Sequence, residues 1–415
     1  MPEKKQKIPV LLKLKRFKNS AGVEKINSFF SLIKPARKFN GIPKSILLIR
    51  NDRIGDAVVT LPVIRDLKLN YPAIKVDVLV SSANKFVFDD FQFTDEIIEF
   101  NWTPQNPGKP YMLPVLGGIL QFIRFALYPY LTSVVYRDKI KKLRKKKYDA
   151  AADLVGYLRN ALLCKLVSRF SIGPKKFGFH TAYSYYIDTN WVSAKDNDFM
   201  TNKIRNAIEN GLDLHFKKKD TSLPLISIKD GEQPNTNYDI ILHLGASKLR
   251  KLSPMKEKYL VEKMVELKTL VTDSYETNNY LMLKEKFTSN NNIKFKIYNN
   301  LREAVPDCLN SKLLLCYDGG QAHYLSQFVK TITIFGPGST ALWKPFEFSD
   351  YSLIEEIKNG VQAYQSNGKF KHISLYLPIW CRPCFDVGCK LKPCLASIES
   401  EFIREIIIKY CLAND

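Results

Sequence analysis

Cysteine is scarce in this chain: eight in 415 residues, too few for a disulfide scaffold. No secretory leader shows. The N-terminus is basic, but no apolar stretch or small-residue cleavage site follows it, so a cytosolic location is expected. No nucleic-acid-binding motif occurs. Charge is sparse in one place, residues 111–136, where Arg124 stands alone among Leu, Ile, Phe, Tyr and Val. That run is long enough to span a bilayer. Gly117-Gly118, Pro129 and the central Arg124 argue against a simple span.

What is present is a globular composition, 45% hydrophobic and 25% charged. The length suits two domains with a core in each. The net charge of +22 is concentrated. Residues 1–44 carry +10 and residues 137–147 (RDKIKKLRKKK) carry +7, so 17 of the 22 charges lie in two short stretches. Local basicity of this kind reads as a docking surface for something anionic.

Residues 1–44 read as an appended basic arm. Folded structure is expected from Ser45–Arg50, a β-branched run with strand character. A turn at Gly55 and apolar residues Val59, Val63, Ile64 and Leu67 at helical spacing predict a helix over Asp56–Asn70, with Pro62 in its early part. Lys75–Val80 is a second strand. Strand, helix and strand in so short a stretch make a βαβ unit and imply a parallel sheet. Tyr148–Leu154 is a further strand. The pattern restarts after a polar stretch near 230–237, with strands at Tyr238–Leu244, Ile293–Tyr298, Lys312–Cys316 and Thr331–Phe335. Helices are expected at Pro254–Lys268 and 397–410. This is an α/β chain of two doubly wound domains facing across a cleft, 45–232 (with an insertion over 103–147) and 233–415. Ligands of such sheets bind beyond the carboxyl ends of the strands, which directs attention to four loops.

In the first, Arg50–Pro62, Asp56 opens a helix beyond a strand end. It reads as an N-cap or as a general base aimed into the cleft. In the second, Leu244–Pro254, Gly245, Ala246 and Ser247 let backbone approach a ligand, and Lys248, Arg250 and Lys251 supply charge; a solvated basic loop is the alternative. In the third, Tyr317–His323, Gly319 and Gly320 follow a strand and open a helix, a place that favours an anion. His323 alone reads equally as a satisfied structural histidine. The fourth, Phe335–Thr340, repeats the design at Gly336. Two such loops in succession suit a diphosphate.

The order and spacing of these loops resemble glycosyltransferase family 9, the lipopolysaccharide heptosyltransferases. The opening pattern corresponds to Arg50 through Ile54-Gly55-Asp56 to Leu61-Pro62. The donor signature corresponds to Asp318, Gly320 and His323, then Phe335-Gly336-Pro337. The tail pattern corresponds to Cys381, Pro383, Cys384, Cys389 and Cys394. The resemblance covers about residues 45–400. Lys251 and Pro254 stand where the family has Lys-x-Trp-Pro, but Ser253 replaces the Trp, and the arm has no counterpart.

The resemblance implies a GT-B fold and an inverting, metal-independent transferase using ADP-heptose. It implies Asp56 as base and Lys251 on the leaving diphosphate. Gly245, Ser247, Asp318, Gly319, Gly320, His323 and Gly336 would lie around the donor, with Arg50 and Arg53 on the acceptor side. No cofactor is required. The partners implied are a nucleotide-sugar donor, a lipid-linked glycan and the inner face of the cytoplasmic membrane; no nucleic acid is expected. Asp196-Asn197-Asp198 matches a metal-binding Asp-x-Asp by letter, but no strand precedes it.

Three questions stay open on the sequence. Cys381, Cys384, Cys389 and Cys394 read either as a structural zinc site or as reduced thiols packing a loop. Residues 111–147 read as an interfacial apolar segment beside a polybasic one, or as a buried helix followed by a solvated one. Ser253 keeps another donor in view, an ADP- or UDP-hexose used on a cell-surface glycan. Beyond these stands a different class, a non-catalytic polybasic protein that binds lipid or nucleic acid.

Overall fold

The computed structural model describes residues 36–101, 134–174, 182–187, 199–220, 225–226, 237–345, 351–356, 360–366, 372–379, 381–382, 384, 389 and 391–412. Residues 1–35 of the arm, the apolar stretch 102–133, Asp196–Asp198 and most of the polar linker lie outside these.

The first sheet has six strands in the order β3-β2-β1-β4-β5-β6. They are β1 Ser45–Arg50, β2 Lys75–Val80, β3 Glu96–Glu99, β4 Tyr148–Asp153, β5 Ser168–Pro174 and β6 Tyr185–Ile187, all parallel. A central parallel strand is covered on both faces and reads as a continuous apolar run. Accordingly Ile46, Leu47, Leu48 and Ile49 are all buried.

The second sheet has eight strands in the order β12-β13-β14-β11-β10-β7-β8-β9. Six are parallel: β7 Tyr238–His243, β8 Thr269–Asp273, β9 Ile293–Ile297, β10 Ser311–Tyr317, β11 Thr331–Ile334 and β14 His372–Tyr376. The edge strands β12 Tyr351–Glu356 and β13 Gln362–Ser366 run antiparallel. The sequence does not predict that edge, because its mixed polar residues carry no clean alternation.

The expected helix over Asp56–Asn70 is instead two: α1, Ile54–Val58, and α2, Leu61–Asn70. Pro62 explains the break. It has no N–H to continue the ladder, and its ring would meet the carbonyl of Val58, four residues back. It sits instead in the first turn of α2, where the missing donor costs nothing. The helix expected at Pro254–Lys268 ends earlier, as α3, Pro254–Glu262, and turn residues lead from it into β8, Thr269–Asp273. The terminal amphipathic helix is present as α4, Ser400–Ile407. It buries Phe402, Ile403, Ile406 and Ile407, and its Ser400 hydroxyl donates to Lys256 O of α3 at 3.0 Å.

The basic segment is also a helix, α5, Val134–Lys146. Tyr136, Ile140 and Leu143 pack inward, while Arg137, Lys139, Lys141, Lys142, Arg144 and Lys145 are exposed. The two domains meet directly. Arg302 of the second pairs with Asp90 of the first at 2.7 Å, and Phe86 stacks edge-on against Tyr324.

Candidate active site

The loop after β1 is organised by Arg50, which is 2% exposed. Its Nε donates to the Thr60 hydroxyl at 2.9 Å and its Nη1 to Leu154 O at 2.9 Å. The same Nη1 pairs with Asp52 at 3.1 Å and lies 3.9 Å from Asp56 Oδ1. Arg50 thus ties β1 to the loop after β4 and holds the start of α1 in place. Arg53, expected beside it on the acceptor side, is exposed and occupies the N-cap position.

Asp56 is the third residue of α1, not its cap, and makes no capping bond. A fifth of its side chain is exposed. Burial, and then the negative charge of Asp52, push its pKa up to about 6. Arg50, Arg53 and Arg250 oppose that rise. A carboxylate titrating near neutrality beside a cleft suits a general base.

The loop after β10 comes from the other domain and touches α1 at backbone distance. It leads into a short helix, α6, Gly320–Leu325. A Cβ on Gly55 would lie 2.9 Å from His323 Cδ2, and one on Gly320 would lie 2.9 Å from Ile54 Cβ. Only glycine permits this approach. Gly320 therefore serves the domain contact, whatever its backbone offers a ligand. His323 is buried against Gly55 and meets Trp343 edge-on. Burial, with the charge of Arg250, drives its pKa down to about 4, so the ring is neutral near pH 7. Its Nδ1 is buried without a hydrogen bond.

Asp318 is 3% exposed. Burial raises its pKa, against the charges of Arg250, Arg382 and Arg53. Its carboxylate fills the space beside Gly338 that a Cβ would need. The loop after β11 thereby meets the loop after β10. Arg382 clamps it from the other side, donating Nη2 to Gly338 O at 2.8 Å and Nη1 to Leu377 O at 2.9 Å, with the Tyr376 ring beneath at 4.8 Å. Cys384 N donates to Pro337 O at 2.9 Å. The cysteine-rich tail thus braces the fourth loop. Among the described residues no disulfide joins its cysteines, and no three His, Cys, Asp or Glu side chains are placed to hold a metal ion.

The loop after β7 completes the ring. Gly245 O accepts from Gln321 Nε2 at 2.7 Å, and Leu249 O lies behind Gly336. The space at Gly245 is taken by His243, Ser274 and Asp273, so its glycine answers to packing inside the protein. Ser247 is exposed, ahead of a single 3-10 turn, Lys248–Arg250. Lys251 pairs with the buried Asp273 at 3.5 Å. Beneath lies Glu257, 2% exposed and pushed up to about 7 by burial, accepting from Tyr317 Oη at 2.6 Å. Ser253 caps α3, its hydroxyl accepting from Lys256 N at 3.3 Å.

All four loops therefore converge, Asp56 from one domain and the glycine loops from the other. One participant, Arg382, is not indicated by the sequence, where it lies among the cysteines of Cys381–Cys384. Arg250 is one of three cations in the second loop, and no letter ranks it above Lys251.

No family model matches the chain, and no curated protein matches it in sequence. Solved structures do. The E. coli heptosyltransferase WaaC with ADP is 14% identical with a TM-score of 0.58, the match covering 88% of this chain and 99% of that one. The E. coli ADP-heptose lps heptosyltransferase II is 14% identical with a TM-score of 0.59, covering 88% and 97%. A glycosyl transferase family 9 structure from Veillonella parvula is 14% identical with a TM-score of 0.54, covering 75% and 85%. The fold is that of the family 9 glycosyltransferases. In this GT-B arrangement the cleft between the two Rossmann-like domains is where the four loops meet. A surface hollow lined by Tyr238, Asp239, Lys268 and Lys312 lies instead near the amino ends of β7 and β10, away from that cleft.

Proposed function

We propose that the protein is an inverting, metal-independent glycosyltransferase that moves a heptose from ADP-heptose to the inner core of lipopolysaccharide. The observation that carries this reading is Asp56, a carboxylate with its pKa near 6, set against the glycine loops of the opposite domain. In the reaction, Asp56 takes the proton of an acceptor hydroxyl. That oxygen bonds to the anomeric carbon, and the bond from that carbon to the diphosphate oxygen breaks. The electron pair leaves with the diphosphate. A base on one domain and a leaving group held by the other favour attack from the opposite face, hence inversion. Cations at the donor loops, Lys251 among them, offset the charge gained by the leaving group, which supports a reaction without a metal.

The similar solved structures include one with ADP and one with ADP-2-deoxy-2-fluoro heptose, and this favours an adenosine diphosphate donor. The second reading, another nucleotide sugar, rests on Ser253, whose hydroxyl caps a helix where the family has Trp. Calorimetry with ADP, UDP and GDP, without added metal, separates them. Preference for ADP supports the heptose donor. Preference for UDP or GDP keeps the enzyme class and discards ADP-heptose. No binding to any of them refutes the transferase reading.

We place the protein at the inner face of the cytoplasmic membrane, where its lipid-linked acceptor lies. Among the described residues no helix is long and apolar enough to cross a bilayer. The support for docking is α5, which exposes six Lys/Arg side chains. Each contributes about 1 kcal/mol at an anionic surface.

A further inference from the structure

Lys251 and Arg250 are adjacent in sequence and face different surroundings. The Lys251 ammonium points to Asp273, which is 1% exposed, and lies over the buried His243–Glu257 region. Arg250 turns the other way. Its Nη1 donates to Asp318 O at 3.2 Å and lies 3.4 Å from Asp318 Oδ2. That carboxylate oxygen is buried and accepts no hydrogen bond. The charge of Arg250, from the opposite domain, is also felt at Asp56. It stands at the centre of the convergence. Asp318 beside it packs on Gly338, and Leu249 before it backs Gly336.

A guanidinium carries five N–H donors in a fixed fork, and a third of this side chain is exposed. The hydrogen bond to Asp318 O occupies Nη1 and leaves the other N–H groups of the fork for a ligand. Asp318 holds the group by charge without saturating it. A planar fork of this kind matches a phosphate in two-point contact, which an ammonium cannot reproduce.

We propose that Arg250, oriented by Asp318, is the catalytic residue that grips the leaving diphosphate, and that Lys251 is secondary to it. This rests on the transferase reading above and adds to it a specific ligand contact. In the transfer step the electron pair of the breaking glycosidic bond ends on the terminal phosphate oxygen, where the fork neutralises it. Asp318 is a positioning residue and takes no proton.

The test compares ADP with AMP, by calorimetry on the full-length protein and its variants. In Arg250→Ala, ADP affinity should fall roughly 10–100-fold, the range for losing hydrogen bonds to a charged partner, while AMP affinity changes much less. Arg250→Lys keeps the charge, guards against misfolding as an explanation, and should recover only part of the loss. Inorganic pyrophosphate should displace ADP from the native protein far better than from Arg250→Ala. Asp318→Asn should give the same selective loss of the ADP increment. If Arg250→Ala and Arg250→Lys bind ADP normally while Lys251→Ala loses it, Arg250 is a brace for the loop and the proposal fails. If the native protein binds no nucleoside diphosphate, the transferase reading itself fails, a result distinct from the first.

Discussion

Replacing Asp56 by Asn tests the base assignment through stability as well as rate. The carboxyl has its ordinary value of 3.8 when unfolded and about 6 in the fold. Between those values the folded protein holds the proton more tightly than the unfolded chain. Stability therefore falls as pH rises from about 4 to about 6, and stays lower above that. The gap of about two units corresponds to about 3 kcal/mol at 1.36 kcal/mol per unit. Asn mimics the protonated carboxyl and has no charge to bury. The variant should thus be more stable than the native protein at pH 8, by up to about 3 kcal/mol, and equal to it near pH 4. Thermal unfolding of both proteins at these two pH values measures the difference. Turnover should meanwhile fall by roughly 10²–10⁴, the usual contribution of a positioned base. The native enzyme should lose activity as pH falls through about 6, because the base must be deprotonated to act. A variant that keeps full turnover, or one no more stable at pH 8 than at pH 4 relative to native, refutes the reasoning.

Three further outcomes are expected. Gly320→Ala puts a Cβ 2.9 Å from Ile54 Cβ, so the domain contact must shift; overpacking costs typically 1–3 kcal/mol, and calorimetric scanning should show it together with lower turnover. A variant of native stability and rate would mean that the helices are not in firm contact. Ser253→Ala removes the cap of α3 and should cost about 1 kcal/mol with nucleotide affinity unchanged; weaker nucleotide binding would instead assign Ser253 to the donor site. Reversing charge at Lys142, Arg144 and Lys145 should abolish sedimentation with vesicles containing anionic lipid at physiological salt, leaving nucleotide binding intact. Persistent sedimentation would remove α5 as the docking face.

Much was determined by the order of residues alone. Continuous apolar runs such as Ser45–Arg50 and Ser311–Tyr317 specify central parallel strands, because only a strand covered on both faces tolerates them. Glycine after such a strand marks the loop at its carboxyl end, and four loops were located in this way. Pro62 was visible too, but its consequence, the break between α1 and α2, needed the position of the Val58 carbonyl. The edge strands β12 and β13 carry no apolar periodicity, so pairing with β14 alone defines them. At the site, the sequence placed Asp56 at a helix start and left two readings open. The fold decided between surroundings: desolvation by two domains, Asp52 at its side and Arg250 opposite. It also distinguished Arg250 from Lys251, neighbours that differ by one rotation of the backbone and so face different carboxylates. Gly320 reads from the sequence as a turn that favours an anion, and its close approach to Ile54 is set only by the fold. Distances of this kind arise between segments remote in the chain, and only tertiary packing sets them.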